Sequence, residues 1–251
     1  MAETSDERAA RSAAAARRGA NAELPRRFYK LAEVHARDGG FAIVLDGKPV
    51  RTPGRKLLMV PRNDIAETIA SEWAAQAGTI NPATMPMTRL VNSAIDGVAN
   101  AERDVAAGIA KYAGSDLLCY RVSFPEGLVG AQAKHWDPVL AWIEADYGWR
   151  FVTSVGVVHV SQPEAVLKGV ERLLTEFDAF GLAGMHSMTT LTGSVLLALA
   201  VGRRHLSAEQ AWAAAHVDED WQISQWGQDA EAQARRAFRW RDMLAAAMLV
   251  A

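Results

Sequence analysis

The chain lacks most of what would commit it to a specialised chemistry. It has a single cysteine, Cys119, in 251 residues, which excludes an internal disulfide and fits a reducing compartment. Charges of the two signs nearly cancel to a net −2, so the basic field that a nucleic-acid partner needs is missing. No phosphate-cradling G-x-x-x-x-G-K-[S/T] loop occurs, and no G-x-G-x-x-G follows a strand. The six histidines are scattered, without H-E-x-x-H or a His/Cys group at ligand spacing, so no metal and no cofactor is expected. No G-x-S-x-G elbow marks a nucleophile, and Cys119 reads as a small packed hydrophobe. A long apolar run is missing too. The stretch 181–202 is uncharged, but His186 and several Ser and Thr residues leave its apolar part too short to cross a bilayer. It is expected to form one buried helix, with Ser194 back-bonded inside it and no membrane insertion.

What is present is apolar bulk. Half the residues are hydrophobic, enough for a full core, and there are eight tryptophans. Trp is a core residue by default and also the commonest anchor at protein–protein hot spots. Residues 1–24 are rich in Ala and Arg with no apolar run, so they read as an arm rather than a secretory leader. Glu3, Asp6 and Glu7 argue against a mitochondrial presequence, which makes a bacterial cytoplasm the expected location and a mitochondrial matrix the alternative.

From Phe28 to Val60 the pattern is β. Phe41, Ile43 and Leu45 alternate, and Asp46-Gly47 signals a two-residue hairpin turn. After Pro61 the apolar spacing of Ile65, Ile69 and Trp73 predicts a helix lying on that sheet. Pro82 and Pro86 mark an extended connector. The expected fold is α+β: an arm over 1–24, a small β-rich domain over 25–82 covered by a helix, and a mainly helical domain over 83–251. Within the latter, Asp137-Pro138 reads as a helix start, and 151–160 as a strand. Helices are then expected at about 163–180, 185–201, 208–226 and 228–250.

One helix stands out. Ser207 and Gln210 form a capping box, and Gly227 ends a run expected to be continuous. Trp212, Ala215, Ile223 and Trp226 share one stripe of that run, and Glu219 falls in its middle. A carboxylate there finds a donor, takes a proton, or is kept for a partner. Antiparallel packing around Gly227 would set Glu219 opposite Arg235 and Arg236. If either reaches it the acid is structural, and the expectation is that neither does. The competing reading is a small enzyme using Glu219 as general acid or base. Asp218, Glu219 and Asp220 cannot share a metal ion, because consecutive helical side chains point about 100° apart.

Several segments recur together in one order. They are Phe28-Tyr-Lys30, Leu45-Asp-Gly-Lys-Pro-Val-Arg-Thr-Pro53, Glu72-Trp-Ala-Ala-Gln76 and Met85-Pro-Met-Thr88. Asp116-Leu-Leu-Cys-Tyr-Arg121, Trp136-Asp-Pro138, Gly193-Ser194 and Val217-Asp-Glu-Asp-Trp-Gln222 with Trp226-Gly227 follow. From about Phe28 to its end the chain resembles the assembly chaperone family that binds the alpha subunit of F(1)-ATPase. The resemblance implies a β-rich domain followed by a helical one, and no catalysis. It also implies that the alpha subunit is held until a beta subunit replaces it. An acidic residue of the Val217–Gln222 motif matters in that family and is carried onto Glu219. Asp218, Asp220, Trp221 and Trp226 frame the expected partner-binding surface of what should be a monomer.

Overall fold

The structure, a computed structural model, describes residues 24–250. The expected arm, apart from Leu24, lies outside the described residues. The architecture is α+β. Strands β1 (Ala32–Arg37), β2 (Gly40–Leu45), β3 (Lys48–Pro49) and β4 (Met59–Val60) form one antiparallel sheet in which β2 pairs with the other three. Asp46 and Gly47 take φ of 47° and 79°, both left-handed, as the hairpin signal requires. The Asp46 carboxylate accepts from the Lys30 and Leu31 amides and ties the preceding segment to the turn. Helix α1 (Asn63–Ala74) buries Ile65 and Ile69 in the same apolar cluster as Ile43 and Leu45 of the sheet.

Helix α2 (Pro86–Asp96) belongs to both of the protein's apolar clusters. Met87 and Val91 join the sheet side and Ala94 the helical side. Its orphan N-terminal amides are satisfied from α1: the Glu72 carboxylate accepts from Met87 N at 2.7 Å, Thr88 N at 2.8 Å and Thr88 Oγ1 at 2.6 Å. Then come α3 (Glu102–Ala110), α4 (Glu126–Tyr147), α5 (Glu164–Leu174), α6 (Ala179–Thr192), α7 (Val195–Gly202), α8 (Ala208–Ala215), α9 (Val217–Trp226) and α10 (Ala230–Val250). A short parallel pair, β5 (Tyr120–Arg121) and β6 (Ser154–Val155), lies among them. The last turns of α10 return to the sheet, where Ala245 and Leu249 join its cluster.

Four expectations change. Helix α4 starts at Glu126, not at Asp137-Pro138, so Pro138 is interior. Losing that amide costs about 3 kcal/mol, which burial of Trp136, Val139 and Ile143 around it offsets. Within 151–160 only Ser154–Val155 is strand. The uncharged stretch forms α6 and α7 rather than one helix. Gly193 takes φ 71°, and Ser194 caps α7 by accepting from Leu197 N at 3.0 Å. The run from Ser207 to Gly227 breaks at His216, whose φ −114° and ψ 18° are not helical.

Two joints account for these breaks. Asp116, fully buried, accepts from Leu118 N and Ser194 Oγ on one oxygen and from Leu196 N on the other, at 2.7–3.2 Å. It therefore feeds the start of α7 from a distant segment. At the second break, Trp136 Nε1 donates to Ala214 O at 2.7 Å, and the His216 ring Nδ1 lies 2.7 Å from Trp212 O. Both carbonyls would accept from amides of the next turn in a continuous helix, so side chains substitute for the missing backbone bonds. Arg121 stacks over Trp136 at 5.1 Å and pairs with Asp137 at 2.8 Å, which fastens the same region.

Candidate partner-binding groove between the last two helices

Because the chain restarts at Val217, the acids Asp218, Glu219 and Asp220 occupy the first turn of α9 rather than mid-helix. Negative charge is favourable there, facing the positive end of the helix dipole. Each of the three is used differently. Asp218 Oδ1 accepts from Gln132 Nε2 of α4 at 2.8 Å, while Gln132 Oε1 accepts from Val122 N at 3.0 Å. Asp220 forms a two-pronged pair with Arg236 of α10. Glu219 has neither kind of hydrogen-bonding partner among the described residues.

Arg236 lies across the groove from Glu219, close enough to act on it electrostatically, yet neither Arg235 nor Arg236 bonds to it, as expected. Arg235 bonds to Glu231 on its own helix, and Arg236 is taken by Asp220. Among the described residues the one cationic candidate within 4.0 Å is His216, whose Nε2 lies 3.9 Å from Glu219 Oε2. A carbonyl only accepts, so Nδ1 must donate to Trp212 O, and Nε2 carries a proton only in the imidazolium. Burial pushes the His216 pKa down, which favours the neutral ring and leaves it no charge to offer. The Glu219 side chain is 41% exposed.

Glu219 lies at the edge of a groove of about 620 Å³ between α9 and α10. Its apolar lining comes from Trp212, Ile223, Trp226 and Trp240, and small residues at Ala232 and Ala237 keep it open. Trp212 and Trp240, both in the lining, pack with ring centroids 5.4 Å apart and planes tilted by 52°. Trp226 is 88% exposed, an unusual setting for so large a ring. The stripe read from the sequence thus splits: Trp212 is buried, whereas Trp226 stands free beside the groove.

Trp221 faces away from the groove, toward α4. Its ring lies so close to Gly127 that a Cβ there would meet it at 2.2 Å. Sequence reasoning missed Trp240 and Ala232. No short-range signal marks them, because they line the groove only through the way α10 folds back. The arrangement combines an apolar trough with an acid that no arginine or lysine among the described residues bonds directly, though the Arg236 charge acts on it. No group of three or more metal-capable side chains exists among the described residues. No helix among them is long and apolar enough to cross a membrane.

The family model for the ATP12 chaperone protein matches residues 26–144. Across 80% of this chain and 74% of its own length, the mitochondrial protein atp12 of Schizosaccharomyces pombe is 23% identical over 215 residues. The crystal structure of Atu1473 from Agrobacterium tumefaciens superposes with TM-score 0.85 at 46% identity, covering 90% of this chain and 85% of that one. Atp12 from Paracoccus denitrificans superposes with TM-score 0.82 at 40% identity, covering 90% of this chain and 97% of that one. These structural matches extend over most of the chain, well beyond the family-model span. With identity of this level over nearly the whole of a solved Atp12, the chain belongs to the ATP12 chaperone family.

Proposed function

We propose that this protein is a chaperone for assembly of the F(1) sector of ATP synthase that binds the unassembled alpha subunit until the beta subunit replaces it. It acts by binding alone, as a monomer, in a bacterial cytoplasm. Family membership supports the chaperone role. The observation that carries the surface assignment is Glu219, a half-exposed carboxylate beside an apolar groove whose nearby arginine is already committed. A holding chaperone must prevent aggregation yet release its client, so an affinity between about micromolar and nanomolar is expected, about −8 to −12 kcal/mol.

The test is to purify the chain, mix it with isolated alpha subunit, and measure both co-elution and the fraction of alpha that stays soluble. Retention of alpha in solution, reversed by adding beta, is the expected result. If alpha neither co-elutes nor stays soluble, the proposal fails. Constitutive co-purification at fixed stoichiometry would instead indicate a permanent subunit. The concavity of the groove is the one feature favouring an enzyme with Glu219 as general acid or base. Against it, the other charged groups lining the groove are engaged: Asp229 accepts from Ala232 N and Arg236 holds Asp220.

A further inference from the structure

We infer that the α9–α10 groove seats one large apolar side chain of the alpha subunit, leucine-sized or aromatic, together with an arginine or lysine one helical turn away that pairs with Glu219. The inference rests on the alpha-subunit reading above and specifies the chemistry of the segment recognised.

Four observations converge on it. At about 620 Å³ the groove exceeds the volume of any single side chain and falls within the usual range of sites that enclose a ligand. Its lining is mainly apolar, and Trp226, 88% exposed, is a ring that an incoming apolar group would cover. Its charged lining is negative on balance: Glu219 and Asp229 face one cation, Arg236, whose hydrogen bonds go to Asp220 and whose charge only partly offsets Glu219. An acidic or phosphorylated segment is therefore repelled, and a cationic one is drawn in. Spacing sets the fourth constraint. Glu219 and Ile223 are four residues apart on one helix, so acid and apolar floor lie about 6 Å apart along the axis. A complementary helical segment then carries its basic and apolar residues three or four positions apart.

Photo-crosslinking tests this on the full chain. Cys119 is fully buried and is the only cysteine, so Gln225→Cys, at an exposed position next to Trp226 and outside the groove lining, can be labelled selectively with a benzophenone maleimide. The labelled protein is irradiated with isolated alpha subunit, and the linked peptide is identified by mass spectrometry. The expected product is an alpha segment with a large apolar residue within four positions of an arginine or lysine. In parallel, Ala237→Trp, which fills the groove, should weaken alpha binding about tenfold or more with an unchanged melting temperature. Glu219→Gln should also weaken alpha binding, with the melting temperature lowered only slightly by the lost charge at the start of α9. A linked segment without a cation would overturn the inference, as would unchanged alpha binding by Ala237→Trp. In both cases the chaperone reading survives, because alpha is still bound. Crosslinks to residues 1–23 of the same chain, or to a second copy, would show that the chain fills its own groove. Failure of the unsubstituted chain to bind alpha would remove both proposals together.

Discussion

Asparagine in place of Asp116 should change stability by an amount that depends on pH. The side chain is fully buried, and burial raises its pKa to about 6 against the pull of donors from Ser194, Leu118 and Leu196. In the unfolded chain the same group titrates near 3.9, so the two states differ by about two units, or about 3 kcal/mol. A raised carboxylate binds its proton more tightly in the folded state. The stability it contributes is fully present below about pH 4 and is lost as pH rises through about 6. Asparagine keeps the shape but cannot titrate. Whichever way its amide turns, an N–H₂ meets an amide or hydroxyl donor, a roughly constant cost of about 1–3 kcal/mol. The stability of the parent minus that of Asp116→Asn should therefore shrink by up to about 3 kcal/mol between about pH 4 and pH 7. Urea unfolding of both proteins across that range measures it, and taking the difference cancels every other titrating group. A difference that stays flat, or grows with pH, would mean that the donors outweigh burial, and the reasoning would be wrong.

Further outcomes follow from the same packing. In α6, a Cβ at Gly184 would meet Ala246 O at 2.7 Å and Val250 Cγ1 at 2.9 Å, so Gly184→Val should cost about 3 kcal/mol. An unchanged melting temperature would show that α10 can slide without penalty. Gly127→Val should displace Trp221 and tilt α9, weakening alpha binding as well as lowering the melting temperature, whereas Glu219→Gln should weaken binding by about 1–3 kcal/mol and cost the fold no more than the roughly 0.3–1 kcal/mol of a charge at a helix N-terminus. If Glu219→Gln instead costs well over about 1 kcal/mol of stability, the residue belongs to the scaffold. His216 runs opposite to Asp116: its lowered pKa gives stability that is present above about pH 6.5 and lost as pH falls toward the folded value. His216→Gln should flatten that loss in melting curves recorded from about pH 7 to pH 5, and a slope identical to the parent's would rule the histidine out as its source.

Local signals settled whatever depends on neighbours in sequence. Asp46-Gly47 had to turn because both positions take left-handed φ, and Ser207 with Gln210 had to start a helix because each side chain satisfies the other's backbone amide. The four-residue spacing of Ile65, Ile69 and Trp73 gave α1 its buried face in the same way. The breaks were different. Gly193-Ser194 and His216 sit in runs whose periodicity is helical throughout; each break has a local cap, and a side chain from far along the chain fixes it. Asp116 lies 78 residues from Ser194, and Trp136 lies 78 residues from Ala214. Pro138 misled for the complementary reason, since long-range burial offset a local penalty. The acid at Glu219 could be singled out from the sequence because a charge in an apolar stripe is a local contradiction. That Arg236 would choose Asp220, that Trp221 would turn to α4, and that Trp240 would line the groove were fixed only when α10 folded back across α9. Periodicity specifies which face a residue occupies, but its partner is set by elements that meet only in three dimensions.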